Sequence, residues 1–401
     1  MSITKHNIVS LFALVLCVFT SRAQDIYDNT YQWQIPGGKY IDPVSFFSLH
    51  GYVNAVYAGP SEDWMQGNFN GIGMPGQVIV PNTNLGSFSN DEALWISSEL
   101  DNFGSVVVEL HLVNDPSGRG AAGPGGLTIV LTEANLRYQL IQEHLAISAG
   151  TFWSVFGIQN QDWLGAQNLF STIPLASGAY PTHFNEKGLR LDGSFGKGDW
   201  GLNYVASVGN GFNAFDISGY TSFDLNENKM FNGRVSLFPG LGEGLNVGVS
   251  YANGLLASAT SHNDSLGQGA YDNLFQAFGT DLTWSFKNLK FRGYRIASRE
   301  RLEKPKSQID LNHLGMMGEL SYSFELTKSK SVDALVPKIR FDYLDKSQFS
   351  AENNDQYNSV SFGLNIRMHE DYLLSMDYSF INEEQLPLNN NRLIARFSAS
   401  F

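Results

Sequence analysis

The chain has 401 residues, with 26 Lys and Arg against 39 Asp and Glu, so its formal net charge is −13. This acidic balance argues against a nucleic-acid-binding protein, which needs a basic surface, and 43% hydrophobic with 13% aromatic residues argues against a disordered chain. A single Cys excludes a disulfide scaffold and a Cys-rich zinc site, while abundant Gly and aromatic residues at 16% charged residues favour strands.

The N-terminal residues have the pattern of a secretory signal peptide. Lys5 precedes an apolar run, Ile8–Phe19, which is too short to span a membrane as a helix. Small residues follow around a cleavage point after Ala23, so residues 1–23 are predicted to be removed. The next stretch, residues 24–42, is polar and aromatic and is predicted to be a short N-terminal periplasmic segment.

From residue 43 onward, apolar and polar residues alternate in blocks of about 10 residues, the length with which a tilted strand crosses a bilayer. In the first block Leu49 and Val53 share one face, whereas His50 and Tyr52 share the other. The same alternation recurs in Leu94–Leu100, Val106–Leu112, Val130–Tyr138, Leu145–Thr151, Leu189–Phe195, Leu202–Val208, Gly233–Leu237, Leu245–Tyr251, Phe278–Phe286, Leu289–Tyr294, Leu314–Phe324, Leu335–Tyr343, Val360–Ile366, Leu374–Phe380 and Leu393–Phe401. The pattern predicts an all-β domain of about 16 antiparallel strands over residues 43–401.

Short and long connections alternate along this series. Gly196–Asp199 and Lys287-Asn288 are short turns, whereas Pro60–Asp91 and Trp153–Lys187 are long polar segments, and Arg299–Asn312 is also assigned to a long connection. Short turns on one side and long loops on the other are typical of a transmembrane β-barrel with periplasmic turns and external loops. Such a sheet must close on itself, because lipid offers no partner to an unpaired backbone amide.

Soluble β-sandwiches, propellers and β-helices also alternate, so these folds remain alternatives to the barrel. No repeat of fixed period is found, which disfavours propellers and solenoids. Gly118–Gly123 matches the dinucleotide fingerprint, but a strand rather than a helix follows it, which indicates an external loop. No catalytic residue, metal site or cofactor is predicted.

The C-terminal block, Arg392–Phe401, alternates up to a final aromatic residue. Leu393, Ala395 and Phe397 share one face with Phe401. The segment resembles the last strand of outer-membrane proteins, whose terminal aromatic residue is recognised by the assembly machinery. The resemblance implies that Phe401 is an assembly signal and that the protein lies in the bacterial outer membrane.

Several stretches together resemble the phosphate-selective porin O/P-like superfamily of outer-membrane channels. Their order and spacing match over most of the chain after residue 23, and they are Leu49–Val53, Leu131–Tyr138, Ala149–Asn160, Glu186–Gly193, Gly201–Tyr204 and Gly209–Gly211. The resemblance implies a 16-stranded barrel embedded in the lipid bilayer, usually as a homotrimer.

The longest connection, Trp153–Lys187, lies between the fifth and sixth predicted strands and is aromatic and amide-rich with few charges. In 16-stranded porins in general the corresponding loop folds inward, so the resemblance implies a constriction here. The predicted constriction residues are Trp153, Phe156, Gln159, Asn160 and Trp163. An outward-facing loop that contacts neighbouring subunits is the alternative.

Alternation also predicts which charged side chains face the lumen, where they set the selectivity of a pore. The predicted pore-lining residues are Arg137, Arg190, Arg234, Lys290, Arg292, Lys338, Arg340, Arg367, Arg396, Glu109, Glu133 and Asp192. Because both signs are present, pairing across strands as structural bridges is the alternative role. We predict a porin, not an enzyme, for passive or substrate-biased diffusion of small polar or anionic solutes. An exported soluble β-protein that binds polysaccharide, and a barrel enzyme, are the alternative functions.

Overall fold

The computed structural model describes the strands and parts of their connections. The described residues are 48–58, 87–99, 103–115, 126–142, 144–158, 168–180, 185–197, 199–211, 229–240, 244–256, 273–304, 307–327, 329, 331–346, 355–369, 371–383 and 391–400. The predicted signal peptide (1–23), the N-terminal segment (24–42), the Gly118–Gly123 loop and Phe401 lie outside the described residues.

The strands form one closed antiparallel sheet. They are β1 (Ser48–Ala58), β2 (Ser87–Glu99), β3 (Gly104–Asp115), β4 (Gly126–Ile141), β5 (Leu145–Trp153), β6 (Asn185–Lys197), β7 (Trp200–Gly209), β8 (Met230–Phe238), β9 (Asn246–Leu256), β10 (Asn273–Phe286), β11 (Leu289–Lys304), β12 (Ser307–Tyr322), β13 (Phe324–Glu325), β14 (Ala334–Lys346), β15 (Asp355–Met368), β16 (Tyr372–Glu383) and β17 (Arg392–Ser400).

The sheet closes because β1 pairs with both β2 and β17, which places Val53 opposite Ala399. The two residues of β13 extend the edge of β12 against β14, so the described residues form sixteen spanning strands. This confirms the predicted antiparallel barrel. The described helical residues belong to one short 3-10 helix, Leu175–Ala179. No helix in the described ranges is both long and apolar enough to cross a bilayer.

The two faces of the sheet differ in polarity, as the alternation predicts. On β8, Phe231 and Val235 point outward and are 58% and 48% exposed, whereas Asn232 and Arg234 point inward and are 3% and 4% exposed. Lipid accepts the apolar outward side chains, and backbone pairing around the closed sheet leaves no strand edge in the membrane. The outward-facing side is thus an apolar belt and the inner side is polar.

The prediction of a long connection at Arg299–Asn312 is wrong, because these residues belong to two paired strands. β11 continues to Lys304 and β12 starts at Ser307, with Arg299 paired opposite Asn312 and Arg301 opposite Asp310. The apolar outward positions end here. Arg299, Asp310 and Asn312 lie on the outward face, as polar residues do where strands continue beyond an apolar belt, whereas Leu311 points inward and is buried. Salt bridges of 2.5 Å and 3.2 Å join Arg299 and Arg301 to Asp310.

Candidate functional site

The chain enters the barrel where β5 ends at Trp153. Residues 154–158 and 168–180, here called the inner segment, lie inside the barrel against the inward faces of the strands. The Trp153 indole N–H donates to Glu109 Oε2 at 2.6 Å, and His111 Nε2 lies 2.6 Å from Glu109 Oε1. Trp153 and Glu109 therefore fix the point at which the chain leaves the wall.

An apolar cluster holds both parts of the inner segment together. The ring of Phe156 stacks on that of Tyr180 with centroids 4.1 Å apart and planes 8° apart. Met230, Phe275 and Ile296, with other buried side chains, complete the cluster on the wall. Burial keeps the pKa of Tyr180 above its usual range, so its hydroxyl stays protonated and donates to Asn232 Oδ1 at 3.1 Å.

The 3-10 helix of the inner segment packs closely on β12. A Cβ atom at Gly315 would lie 2.0 Å from the Ala176 carbonyl oxygen, so only glycine permits this approach. Beside it, the hydroxyls of Ser177 and Tyr294 are 2.8 Å apart, and Ser298 donates to the Ala179 carbonyl. The helix therefore rests directly on the wall.

We expect Gly315→Ala to displace the 3-10 helix, because overpacking against a backbone atom costs about 1–3 kcal/mol. If the barrel conducts, displacement of the helix should raise single-channel conductance, although no residue is deleted. Gly233→Ala is the control, because its Cβ would meet its nearest atom, the Val205 carbonyl oxygen, at an ordinary 3.5 Å. Equal conductance of the Gly315 variant and the control would contradict the expectation.

Three of the predicted pore-lining cations bind the inner segment. Lys338 Nζ and Arg340 Cζ each lie 4.6 Å from the centre of the Phe170 ring. Lys338 also donates to the Leu169 carbonyl at 2.5 Å and lies 2.6 Å from Asp377 Oδ1. These contacts make Phe170 the centre of a clamp, here called the Phe170 clamp.

Backbone carbonyls of the inner segment accept further bonds from this side of the barrel. Arg340 Nη1 donates to the Thr172 carbonyl at 2.7 Å, and Arg396 Nη2 donates to the Asn168 carbonyl at 2.9 Å. Arg340 Nε also lies 2.8 Å from Asp342 Oδ2. Lys338, Arg340 and Arg396 are therefore engaged with protein groups and are nearly inaccessible to solvent.

Other predicted cations pair with carboxylates across strands. Arg234 forms a bidentate pair with Asp281, with N–O distances of 2.6 Å and 3.1 Å. Two further cross-strand pairs are Arg292 with Glu319, at 3.0 Å, and Arg367 with Glu325, at 3.3 Å. Lys290 is exposed near the β10–β11 turn, opposite Ser321. This pairing matches the alternative role considered for these charges.

The predicted residues on β4 and β6 form a different group. Asp192 accepts from Arg137 at 2.8 Å and from Arg190 at 3.1 Å, and the two arginine side chains remain 33% and 22% exposed. Glu133 accepts from the Asn135 amide at 2.7 Å. These arginines keep far more solvent access than the cations of the Phe170 clamp.

Gln159, Asn160 and Trp163 of the predicted constriction lie outside the described residues. Sequence reasoning did not identify Thr172, Gly315 or Glu186 as site residues. Glu186 is fully buried and accepts from Ser207 at 2.6 Å and from Asn232 at 2.9 Å. It shares the inward parity of Arg190 and Asp192, so extending the alternation toward the start of β6 would have found it.

No protein-family model and no curated protein matches this sequence. Solved structures of outer-membrane channels share its fold. OmpF of Salmonella typhi, in complex with daunomycin, is 10% identical with a TM-score of 0.56, covering 88% of this chain and 97% of its own. The outer-membrane channel DcaP of Acinetobacter baumannii is 11% identical with a TM-score of 0.56 and the same coverages.

The anion-selective porin from Comamonas acidovorans is 9% identical with a TM-score of 0.53, covering 88% of this chain and 99% of its own. At these identities the similarity concerns the backbone architecture. The chain therefore has the fold of the outer-membrane porins.

Proposed function

We propose that this protein is a porin of the bacterial outer membrane through which small polar or anionic solutes diffuse. The observation that carries the proposal is a closed barrel with an apolar outer belt, a charged inner face and a segment folded into its interior. The similarity to porins, one of them described as anion-selective, supports the same function. Membership of the phosphate-selective porin O/P-like superfamily is part of the proposal.

In this proposal the inner segment narrows the pore. Trp153 and Phe156 anchor its start, and Gln159, Asn160 and Trp163 belong to the same constriction. The predicted charged residues of the inner face contribute to the field along the pore. The contacts support two different roles for these residues. Lys338, Arg340 and Arg396 bind the inner segment, whereas Arg137 and Arg190 keep solvent access.

The remaining parts of the proposal concern export and assembly. Residues 1–23 direct export, residues 24–42 form the periplasmic segment, and Phe401 is the signal for the assembly machinery. The functional form is a homotrimer in the lipid bilayer. No catalytic step and no cofactor enters this function.

The test is planar-bilayer conductance of the refolded chain without residues 1–23. We expect a heat-modifiable, SDS-resistant species with stepwise openings, and a reversal potential under a KCl gradient that shows an anion preference. A heat-modifiable barrel without conductance would contradict the porin function. Recovery of the native protein in the periplasm instead of the outer membrane would favour the soluble β-protein, and a cation preference would overturn the anionic part of the proposal.

A further inference from the structure

We infer that Arg137, Ser148 and Arg190 form a binding subsite for a single carboxylate group. The inference rests on the proposed porin function and adds a solute class to it. The subsite lies between the inner segment and the turn that joins β4 to β5, because Ser148 precedes Trp153 by five positions on β5.

The register of three neighbouring strands brings the three side chains into one row. Arg137 on β4 lies opposite Ser148 on β5, and Ser148 lies opposite Arg190 on β6. Strands in a sheet are about 4.8 Å apart, so the two arginine backbones flank the serine at about that distance on either side. All three residues share the inward parity of Asp192 on β6.

Ser148 is 2% exposed, and within the described part of the chain its hydroxyl has no hydrogen-bond partner. A buried hydroxyl without a partner costs free energy, and a ligand oxygen placed between the arginines would accept its hydrogen bond. Ser236 gives the contrast. Its hydroxyl also has no partner among the described residues, but the arginine on its strand, Arg234, already forms a buried bidentate pair with Asp281.

Each arginine also keeps donors for a ligand. Among the described residues, Arg137 uses Nη2 and Arg190 uses Nε on Asp192, so other guanidinium N–H groups of both side chains stay available. The two parallel N–H donors of a guanidinium fit the two oxygens of a carboxylate better than they fit a single halide ion.

The local charge sets the class of anion. Two arginines and Asp192 leave one positive charge, which matches one carboxylate and not a dianionic phosphate. Glu133, four residues from Arg137 on the same face of β4, adds negative potential and opposes a second negative charge. The subsite therefore favours monocarboxylates.

Acetate is the probe, with inorganic phosphate at pH 8 as the dianionic comparison. We expect millimolar acetate to reduce the single-channel chloride current more than equimolar phosphate does. Ser148→Ala should weaken acetate affinity about tenfold, the effect of losing one hydrogen bond to a charged group. Ser236→Ala is the matched control. It removes an equally buried hydroxyl that also lacks a partner in the described ranges and that lies away from the two arginines.

Acetate binding to the folded barrel in detergent, measured by calorimetry, separates this inference from the porin function. Binding without conductance would overturn the porin function and leave the subsite in place. Conductance with no acetate binding, or with equal affinity in the two serine variants, would overturn the subsite alone. Stronger inhibition by phosphate would overturn the assignment to monocarboxylates. The double variant Arg137→Gln/Arg190→Gln should abolish acetate binding. If Ser148 were only a structural residue, this loss would not be expected.

Discussion

Deletion of residues 165–178 is expected to raise single-channel conductance severalfold. The deletion removes Phe170 and the carbonyls of Asn168, Leu169 and Thr172, on which the clamp cations converge. With those partners gone, the segment loses its attachment to β14 and β17, and the lumen at that level opens. The measurement is conductance in a planar bilayer at fixed KCl concentration.

The control for the deletion is Phe170→Leu, which keeps the length and the backbone carbonyls but removes the ring between Lys338 and Arg340. This variant should raise conductance much less than the deletion does, because the backbone bonds to both cations remain. If the deletion leaves conductance unchanged in a barrel that is still heat-modifiable, the inner segment does not constrict the pore.

Asp281→Ala is expected to destabilise the barrel by about 3–5 kcal/mol, because it leaves a charged arginine buried without its partner. Both side chains of the Arg234–Asp281 pair are at most 3% exposed and are joined by two hydrogen bonds. The free energy of unfolding from urea titrations in detergent or lipid would show the loss as a lower midpoint.

Two further variants identify the cause of that loss. The double variant Arg234→Met/Asp281→Leu removes both charges and should be close to the parent protein, because a well-packed apolar pair replaces a buried ion pair at little net cost. Asp310→Ala breaks the solvent-exposed contacts with Arg299 and Arg301 and should change stability little. A double variant as unstable as Asp281→Ala would attribute the loss to packing instead of charge.

Alternation was sufficient to predict the barrel because the membrane imposes one rule on every strand. Parity along a strand does not depend on any distant residue, and it predicts an inward position for Arg234, Lys338, Arg340 and Arg396, whose side chains are buried in the structure. It failed at Arg299–Asn312, where the strands run past the apolar belt and the rule no longer applies.

The contact partners of the inward charged side chains could not be predicted from the sequence. The bond from Arg396 to the Asn168 carbonyl joins residues 228 positions apart, and it exists only because the inner segment crosses the interior to β17. Partners of this kind depend on the register of every intervening strand and on the path of the segment. Sequence parity therefore predicts which cations face inward, but it does not distinguish cations that bind the inner segment from cations that keep solvent access.

Closure of the barrel depends on the pairing of β1 with β17. β17 closes the sheet on β1, so a chain that lacks β17 leaves the edges of β1 and β16 unpaired and open to aggregation. Among the strand pairings of the described residues, this one joins the positions farthest apart in sequence, so it is expected to form slowly, after the hairpins between successive strands. A chain truncated before Arg392 would therefore form an open sheet, and its two unpaired edges would distinguish it from the closed barrel.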